Sequence, residues 1–417
     1  MRKPNRLTRD VFISCFTLAV VGVVAHSSFS NVAYAQATGG AGGETTASCT
    51  SVGFTNAVYV EGSTAADSVI KALGPALAMA TPPIQIVYVS GGTVGSCDGV
   101  DAIVTGATTS ANATYWNSTG VTQTCSNANQ AVDVGISDVF PTSCPSITSD
   151  MLTNVGDFPG PVQSMNFVVP AGATENSISA DAAYLTVGLG ANGGTPWNNP
   201  AGWAFRNFNS GTETMIAAAI NVPTAKWPLA ADKGGSGAVV TAIGAATTPA
   251  DATIGILASN QADSNRTTIK RLAFQGYDQT CAYYPDSSYA SKDKANVRDG
   301  TYKIWGPSHI LAKTTVGAAT GQAKALIDVL EGTTVVTGVD IVNLEINANT
   351  TPQCAMHVKR TSELGTPVTF TPDTSCGCYF DSIKGDAAAM AACTACTTPT
   401  TCPASAPACN HGFCEVK

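Results

Sequence analysis

The fold of this sequence is restricted most by strands that lead into a turn of small polar residues and then into a helical pattern. An apolar segment at 57–60 continues through the turn 61–64 into apolar residues at helical spacing from Val69 onwards. A β-branched segment at 84–89 is followed in the same way by the turn 90–93 and a short helical pattern. Strands that alternate with helices predict an α/β sheet, in which ligands bind at the carboxyl ends of strands and at helix N-termini.

The same alternation extends through most of the chain. Further strands are predicted at 131–136, 162–169 and 252–259 and within 299–311, and further helices at 215–220 and 323–330. The chain has 417 residues, of which 44% are hydrophobic, enough for two domains with cores of their own. Its 21 Lys and Arg residues against 29 Asp and Glu residues argue against a nucleic-acid partner, because binding a phosphodiester backbone requires a basic surface.

The N-terminal segment has the pattern of an export signal. Several basic residues precede a short apolar run at 11–25, and a more polar stretch then ends in Ala35. We therefore predict that residues 1–35 are a signal peptide cleaved after Ala35, and that the mature protein is periplasmic or extracellular. A membrane-spanning helix needs about 20 apolar residues, and this run is too short, so we expect no stable membrane anchor. Residues 36–48 are small and Gly-rich, which predicts a flexible linker.

The cysteines predict disulfide bonds. Thirteen of the 14 cysteines follow the predicted cleavage site, and eight of these lie between 354 and 414. We predict a separate, small disulfide-rich module at 351–417, and the odd number leaves at least one cysteine unexplained. Cys393, Cys396 and His411 leave a zinc site open by ligand type, but an exported chain favours cross-links. We expect no metal and no cofactor.

Hydroxyl groups and glycines in the turns are predicted to converge on a small anion. Hydroxyls donate hydrogen bonds, glycines let backbone N–H groups approach closely, and helix N-termini add a partial positive charge. Arg206 supplies a permanent cation whose planar guanidinium matches the oxygens of phosphate or sulfate. The candidate donors are Ser63, Thr64, Thr93, Ser137, Ser210 and Thr212, with the backbone at Gly62, Gly91, Gly92 and Gly211.

Asp138, directly after the predicted strand 131–136 and Ser137, sets a condition on the ligand. A carboxylate repels an anion unless the ligand carries a proton that the carboxylate accepts as a hydrogen bond. This logic favours phosphate over sulfate. Taken singly, each turn is more often only a turn or a helix cap, and Arg206 alone would more often form a surface ion pair. The hypothesis depends on the ordered set, since each member follows an apolar strand and precedes a helix.

The order of these segments resembles the periplasmic phosphate-binding protein of ABC uptake systems. The segments that carry this resemblance are EGST (61–64), SGGT (90–93), DVGISD (133–138), the Arg206 to Thr212 segment, KGGSG (233–237), TIGIL (253–257) and YKIWGPSHIL (302–311). In this sequence Phe208 and Asn209 stand where the family has Asp-Gly. The resemblance implies a two-lobed α/β type II periplasmic binding fold with crossover hinge strands. It assigns 49–160 to the first part of lobe 1, 161–296 to lobe 2 and 297–350 to the return into lobe 1.

The resemblance also implies a function. It describes an exported solute-binding protein that captures inorganic phosphate or a similar oxyanion, with an ABC transporter permease as partner. The ligand-binding residues that it implies are Ser63, Thr64, Ser90, Gly91, Ser137, Asp138, Arg206, Ser210, Gly211 and Thr212. The lobes are expected to close on the anion by rotation about crossovers near Val162 and Tyr302.

Two other functional classes were weighed against this one. An enzyme needs a nucleophile, a base and an orienting group, and the serine-rich turns have no base beside them, so we predict no catalytic activity. The main alternative is a secreted or cell-surface structural or interaction protein that keeps the phosphate-binding-protein fold without a transport role. The Thr-, Ala- and Gly-rich composition and the additional C-terminal region suggest this alternative.

Overall fold

The computed structural model describes residues 46–127, 129–385 and 387–417. The predicted signal peptide and residues 36–45 of the predicted linker lie outside the described residues. The strands are β1 (Ala57–Gly62), β2 (Gln85–Ser90), β3 (Asn112–Trp116), β4 (Thr122–Ser126), β5 (Val134–Ser137), β6 (Val155–Pro170), β7 (Ser177–Ser179), β8 (Trp203–Ala204), β9 (Ile254–Ala258), β10 (Ile269–Arg271), β11 (Ala273–Gln275), β12 (Trp305–Thr315), β13 (Ala318–Ala319), β14 (Val358–Lys359), β15 (Val368–Thr369), β16 (Ala408–Asn410) and β17 (Phe413–Glu415). The α-helices are α1 (Asp67–Met79), α2 (Ser96–Thr105), α3 (Ala180–Leu189), α4 (Gly211–Ala219), α5 (Ser236–Gly244), α6 (Ser259–Ser264), α7 (Ala295–Arg298), α8 (Gly321–Leu330), α9 (Ile341–Asn347), α10 (Gly377–Lys384) and α11 (Ala387–Met390).

The first sheet half consists of β1 to β5, in the order β4-β3-β2-β1-β5. β1 lies between β2 and β5 and is parallel to both, with Val60 opposite Tyr88 on one side and Val134 on the other. The centre of β1 is buried, as expected for a parallel strand covered by helices. α1 packs its apolar face on this sheet through residues that include Leu73 and Leu77. The antiparallel hairpin of β3 and β4 extends the sheet beyond β2 and was not predicted.

The second sheet half consists of β8, β9 and β10. β9 runs parallel to β8, β6 pairs antiparallel with both β9 and β10, and Val168 lies opposite Gly255. The helix α4 packs against this half through Met215 and Ile216, which are fully buried in the main hydrophobic core. Rings of Trp203 and Phe205 stack at 5.7 Å in the same core. The sequence predicted β9 and α4, and β9 stands out in the sequence because its five residues are all apolar and buried. The short strand β10 was not predicted.

Two long strands join the sheet halves. β12 pairs with β5 of the first half and with β6, and β6 continues into the second half through β9. β6 and β12 are antiparallel, and their register shifts between Pro307 and His309. The predicted fold class is therefore confirmed: an α/β protein whose halves are connected by crossover strands, as in the type II periplasmic binding fold, with an added disulfide-rich C-terminal region.

Six disulfides are present among the described residues. They join Cys49–Cys125, Cys97–Cys144, Cys354–Cys376, Cys378–Cys393, Cys396–Cys409 and Cys402–Cys414. Cys281 belongs to none of these six disulfides. The zinc alternative is wrong, because Cys393 and Cys396 are both oxidised in disulfides. The described cysteines that lie close enough to share a metal ion, Cys396, Cys402 and Cys414, are likewise disulfide-bonded.

The disulfide-rich C-terminal region packs against the rest of the described chain. Residues 46–417 form one compact unit. Thr351 pairs with Val162 of β6 through two backbone hydrogen bonds of 2.7 and 3.1 Å. Arg298 donates to Asp381 at 2.5 Å, in a buried ion pair between α7 and α10. The region is therefore anchored on the crossover strands. Among the described residues, we find no helix with the length and apolar character that a membrane crossing requires.

Candidate anion-binding site

Close glycine packing brings the N-terminus of α2 to the end of β5. A Cβ on Gly99 of α2 would lie 2.6 Å from the carbonyl oxygen of Glu61, and one on Gly135 of β5 would lie 2.2 Å from that of Gly99. Only glycine permits this approach, because a methyl group needs more than 3 Å from a backbone oxygen. The contact places Ser96, the first residue of α2, beside Asp138, which follows β5. The Ser96 hydroxyl accepts a hydrogen bond of 3.2 Å from the Asp138 N–H.

The N-terminus of α4 approaches the same point from the second sheet half. A Cβ on Gly211 would lie 2.4 Å from Oγ of Ser96 and 2.9 Å from Cβ of Asp138. The loop before α4 also contacts α2, because the carbonyl oxygen of Asn209 accepts a hydrogen bond of 3.0 Å from the Cys97 N–H. Ser210, the N-cap residue of α4, makes no side-chain capping bond. Two helix N-termini therefore meet at Asp138, and both turn their partial positive charge towards it.

Asp138 is buried, and its two carboxylate oxygens have different surroundings. Oδ2 accepts a hydrogen bond of 2.5 Å from Oγ of Ser63 and a longer one of 3.4 Å from Oγ of Ser96. Oδ1 is buried and has no hydrogen-bond partner among the described residues. Burial raises the pKa of Asp138, while Ser63 and the charge of Arg206 lower it in part. The free oxygen is therefore an acceptor that can receive a hydrogen bond from a protonated ligand.

Arg206 provides a buried cation at the same site. Its Nε donates to the carbonyl oxygen of Gly234 at 2.8 Å, and its Nη1 donates to Oγ of Ser236 at 2.8 Å. Ser236 in turn shares a hydrogen bond of 2.9 Å with Oγ1 of Thr64. This chain of contacts runs from the second sheet half to the first. Burial lowers the pKa of Arg206, and the charge of Asp138 opposes that effect. A guanidinium remains protonated even so.

Three buried side-chain atoms without a partner lie in this region: Oδ1 of Asp138, Oδ1 of Asn207 and Oγ1 of Thr212. The amide nitrogen of Asn207 donates to the carbonyl oxygen of Gly92 at 3.1 Å, which fixes the residue against the first sheet half. An unpartnered buried polar group costs about 1–3 kcal/mol, so a ligand that supplies the missing hydrogen bonds would gain from each of these three atoms. Two of the three atoms accept only, and the third can accept or donate. A ligand that carries both hydrogens and negative charge matches this set.

Not every residue in the predicted set points its side chain into this site. Ser90 donates to Oδ1 of Asp67 at 2.7 Å. The Ser137 hydroxyl donates to the carbonyl oxygen of Val139 at 2.8 Å and so closes its own turn. Gly91 has a positive φ of 82° and turns the chain beside Thr64. The structure therefore brings Ser63, Thr64, Asp138, Arg206, Ser210, Gly211 and Thr212 together, and it gives the hydroxyls of Ser90 and Ser137 structural partners.

Four residues of the site were missed at the sequence level: Ser96, Asn207, Glu213 and Ser236. Ser96 and Ser236 are the first residues of α2 and α5, where a serine ordinarily signals a helix start and nothing more. Ser236 lies within KGGSG (233–237), a segment that carries the resemblance but from which no ligand-binding residue was predicted. Asn207 follows Arg206 directly, and no local pattern indicates that its amide reaches the carbonyl oxygen of Gly92.

Glu213 lies in the first turn of α4 and is buried. Its pKa is raised to about 8, chiefly by burial and further by the charge of Asp232, while the charge of Arg206 opposes the shift. Glu213 is therefore largely protonated at neutral pH. A neutral carboxyl group beside Arg206 leaves the charge of that guanidinium available to an anion. An ionised Glu213 would instead compete with the anion for it.

Phe208 and Asn209, the two positions that depart from the family pattern, are used in different ways. Phe208 is exposed. The side-chain amide of Asn209 donates to Oδ1 of Asp98 at 2.9 Å, and the backbone carbonyl contacts α2 as described above. The loop between Arg206 and α4 therefore binds the N-terminal turn of α2 directly. The contacts of Asn209 therefore join the two sheet halves. Arg206 remains in the site although Phe208 and Asn209 stand where the family has Asp-Gly.

No family model matches the chain, and no curated protein does either. Among solved structures, it is similar to a phosphate ABC transporter substrate-binding protein from Clostridium perfringens with bound phosphate (14% identity over 71% of this chain and 99% of that chain, TM-score 0.49). It is also similar to an ABC-type phosphate transport receptor from Vibrio cholerae (15% identity, 70% of this chain and 99% of that chain, TM-score 0.44). OxyR of Corynebacterium glutamicum is a further match (8% identity, 71% of this chain and 66% of that chain, TM-score 0.40). The ligand of this chain has to be inferred from its own side chains.

Proposed function

We propose that this chain is an exported solute-binding protein that captures inorganic phosphate between its two sheet halves. The observation that carries the proposal is the pair of buried groups at the site. Asp138 presents a buried carboxylate oxygen without a partner, and Arg206 lies close enough to lower the pKa of that carboxyl. A ligand between them needs negative charge for the guanidinium and a hydrogen for the carboxylate. Phosphate has both at neutral pH, whereas sulfate has no hydrogen to donate.

The remaining contacts of the phosphate would come from neutral donors. We assign these contacts to the hydroxyl of Thr212, which has no partner among the described residues, and to the backbone N–H groups at the start of α4, where Gly211 packs against Asp138. Helix N-termini bind phosphate groups in this manner, because their first N–H groups have no partner within the helix. We also propose that Ser63, Thr64 and Ser210 contribute to phosphate binding, as the sequence predicts. Ser63 acts by holding Oδ2 of Asp138, so that Oδ1 faces the ligand.

Closure of the protein follows from the crossover strands. β12 bonds to the first sheet half, β6 bonds to the second, and the two strands pair with each other, so rotation about them would open the site between Asp138 and Arg206. The hydrogen bonds from Asn207 to Gly92 and between Thr64 and Ser236 would break on opening and re-form on closing. Docking on an ABC transporter permease, and release of phosphate to it, is the transport role that this motion would serve.

Titration calorimetry of the chain from residue 36 onwards tests the proposal. Phosphate, sulfate and acetate are titrated separately at pH 7 into protein that has been dialysed free of anions. We expect one phosphate per chain, sulfate at least tenfold weaker, and no binding of acetate. Arg206→Ala should abolish phosphate binding, whereas Lys226→Ala, which removes an exposed cation from the same half, should leave it unchanged.

The same titration decides between transport and the alternative surface role. If none of the three anions binds the folded protein, the proposal fails, and a structural or interaction protein that merely keeps the fold is favoured. If sulfate binds as tightly as phosphate, the selective role of Asp138 is wrong.

A further inference from the structure

A second cavity lies where the C-terminal region meets the rest of the chain. Its volume is about 630 Å³. Its walls come from the end of α8, from the following loop and α9, from the start of the β6 crossover, and from the disulfide-bonded segment around Cys354. None of its lining residues belongs to the candidate anion-binding site, so whatever it holds is independent of the proposed function. A volume of this size suits a small organic molecule.

Glu345 of α9 lines this cavity and is 6% exposed. Its carboxyl group has no hydrogen-bond or ion-pair partner among the described residues, in contrast to the buried carboxyl of Asp286, which is held by Arg271 and Lys294. Burial alone raises the pKa of Glu345 to about 8. A buried carboxyl without a partner is costly, and chains keep such groups where a ligand or a reaction uses them.

The other titratable groups of the cavity do not neutralise Glu345. Asp340 is engaged elsewhere, since it caps α9 through the Asn343 N–H at 3.0 Å and accepts a hydrogen bond of 3.1 Å from the Tyr379 hydroxyl. Glu331 lies at the exposed rim and is also acidic. The His411 ring stacks on Tyr379 at 4.6 Å. The described lining contains no Lys or Arg. The field inside the cavity is therefore negative, or neutral where the carboxyls are protonated.

Most of the remaining wall is apolar, and its polar members are Thr333, Thr334, Gln353 and Thr374. The apolar part is formed by Val329, Leu330, Val335, Val339, Ile341 and Val342, together with Pro159 and Pro352. Aliphatic walls around a single buried carboxyl match a molecule with a cationic head and a hydrocarbon body, because the head pairs with the carboxylate while the body leaves water. A bare divalent ion fits poorly, since Ca²⁺ needs six or more oxygen ligands and Mg²⁺ an octahedral set.

We propose that this cavity is a binding site for an aliphatic ammonium ion, with Glu345 as the counter-ion and the valine and leucine wall as the seat of the hydrocarbon body. The site joins the C-terminal region to the β6 crossover, since Pro159 of β6 and Pro352 of the C-terminal region both line it. Binding keeps Glu345 ionised. At pH 7 the empty site holds a proton on that carboxyl, so each bound ammonium displaces close to one proton.

Calorimetry with hexylammonium, hexan-1-ol and hexanoate tests the site in the chain from residue 36 onwards. The titrations are run at pH 7 in two buffers whose ionisation enthalpies differ. We expect hexylammonium to bind at least tenfold more tightly than hexan-1-ol, hexanoate not to bind, and the two buffers to report release of nearly one proton per ligand. Glu345→Gln should weaken the binding of hexylammonium at least tenfold. Glu175→Gln, which removes a carboxyl group outside the cavity, should change the affinity for hexylammonium less than twofold.

Several results would overturn the proposal. Equal affinity for hexan-1-ol and hexylammonium would show an apolar groove in which Glu345 has no role. Absence of proton release, or unchanged binding in a folded Glu345→Gln variant, would remove the carboxyl from the site. If Glu345→Gln does not fold, the comparison of the three probes and the proton count on the unmodified chain still decide the question. Phosphate titrations of the same variant should be unchanged, so failure here leaves the proposed anion site untouched.

Discussion

Replacing Asp138 with asparagine should change the anion preference of the protein. Asparagine has nearly the same shape, so the contact of Oδ2 with Ser63 at 2.5 Å can be kept by the amide oxygen. The other position then carries an NH₂ group, which donates where the carboxylate oxygen Oδ1 would accept. The hydrogen of a protonated phosphate loses its acceptor, and the oxygens of sulfate gain a donor.

The magnitude follows from the character of the lost bond. A hydrogen bond to a charged group contributes about 1.5–3 kcal/mol, and about 1.4 kcal/mol corresponds to a factor of ten in affinity. Asp138→Asn should therefore weaken phosphate binding by about 10- to 150-fold. Sulfate should bind at least about tenfold more tightly than it does to the unmodified chain, because the repulsion between the carboxylate and the anion is removed at a buried position where screening is weak.

Calorimetric titration at pH 7 with both anions measures the two changes together. Thermal denaturation of the variant first establishes that it is folded. Asp150→Asn serves as the matched control, since Asp150 is exposed and its loss of charge should alter neither titration. The reasoning is refuted if a folded Asp138→Asn protein binds phosphate and sulfate as the unmodified chain does, or if both affinities fall in parallel.

Three further perturbations test the structure of the site and its supports. Gly211→Ala places a methyl group 2.4 Å from the Ser96 hydroxyl and should cost about 1–3 kcal/mol of stability by urea denaturation; an unchanged midpoint would contradict the close packing. The folded pKa of Glu213, about 8, exceeds its ordinary 4.5, so the folded state binds the proton more tightly and the free energy of unfolding should fall between pH 4.5 and 8. Glu213→Gln should flatten that fall by up to about 1.4 kcal/mol per pH unit in urea titrations, and an identical slope would be inconsistent with a buried neutral carboxyl. Serine at both Cys354 and Cys376, which are 22 residues apart, should cost about 3 kcal/mol by the same method, while no loss would show that the cross-link constrains little.

Much of the central sheet could be predicted from the sequence. β1, β2 and β9 are buried on both faces, so their apolar runs stand out from the surrounding turns. The β3 and β4 hairpin escaped prediction because its residues are largely polar or hydroxylated, and only positions such as Trp116 and Cys125 face the interior. The Cys49–Cys125 disulfide and the contact with β2 hold this hairpin in place, and a local sequence pattern reveals neither of them.

The candidate site was predictable to the extent that strand ends and helix starts mark it. Asp138, Arg206 and Gly211 were singled out by their place after a strand or before a helix, and the structure brings them together. Ser137 was grouped with Asp138 because the two are adjacent, yet its hydroxyl closes a local turn onto Val139. Neighbouring side chains at a strand end point in different directions, and sequence alone does not say which one faces the ligand.

Anomalous diffraction from crystals grown with arsenate would test the central claim most directly. Arsenate is tetrahedral and carries a proton at neutral pH, as phosphate does, and its arsenic atom can be located without ambiguity. The expected result is one arsenic peak per chain with an arsenate oxygen within 3.2 Å of Oδ1 of Asp138 and another within reach of the Arg206 guanidinium. An arsenic peak elsewhere, or none at all in crystals that contain millimolar arsenate, would contradict the account.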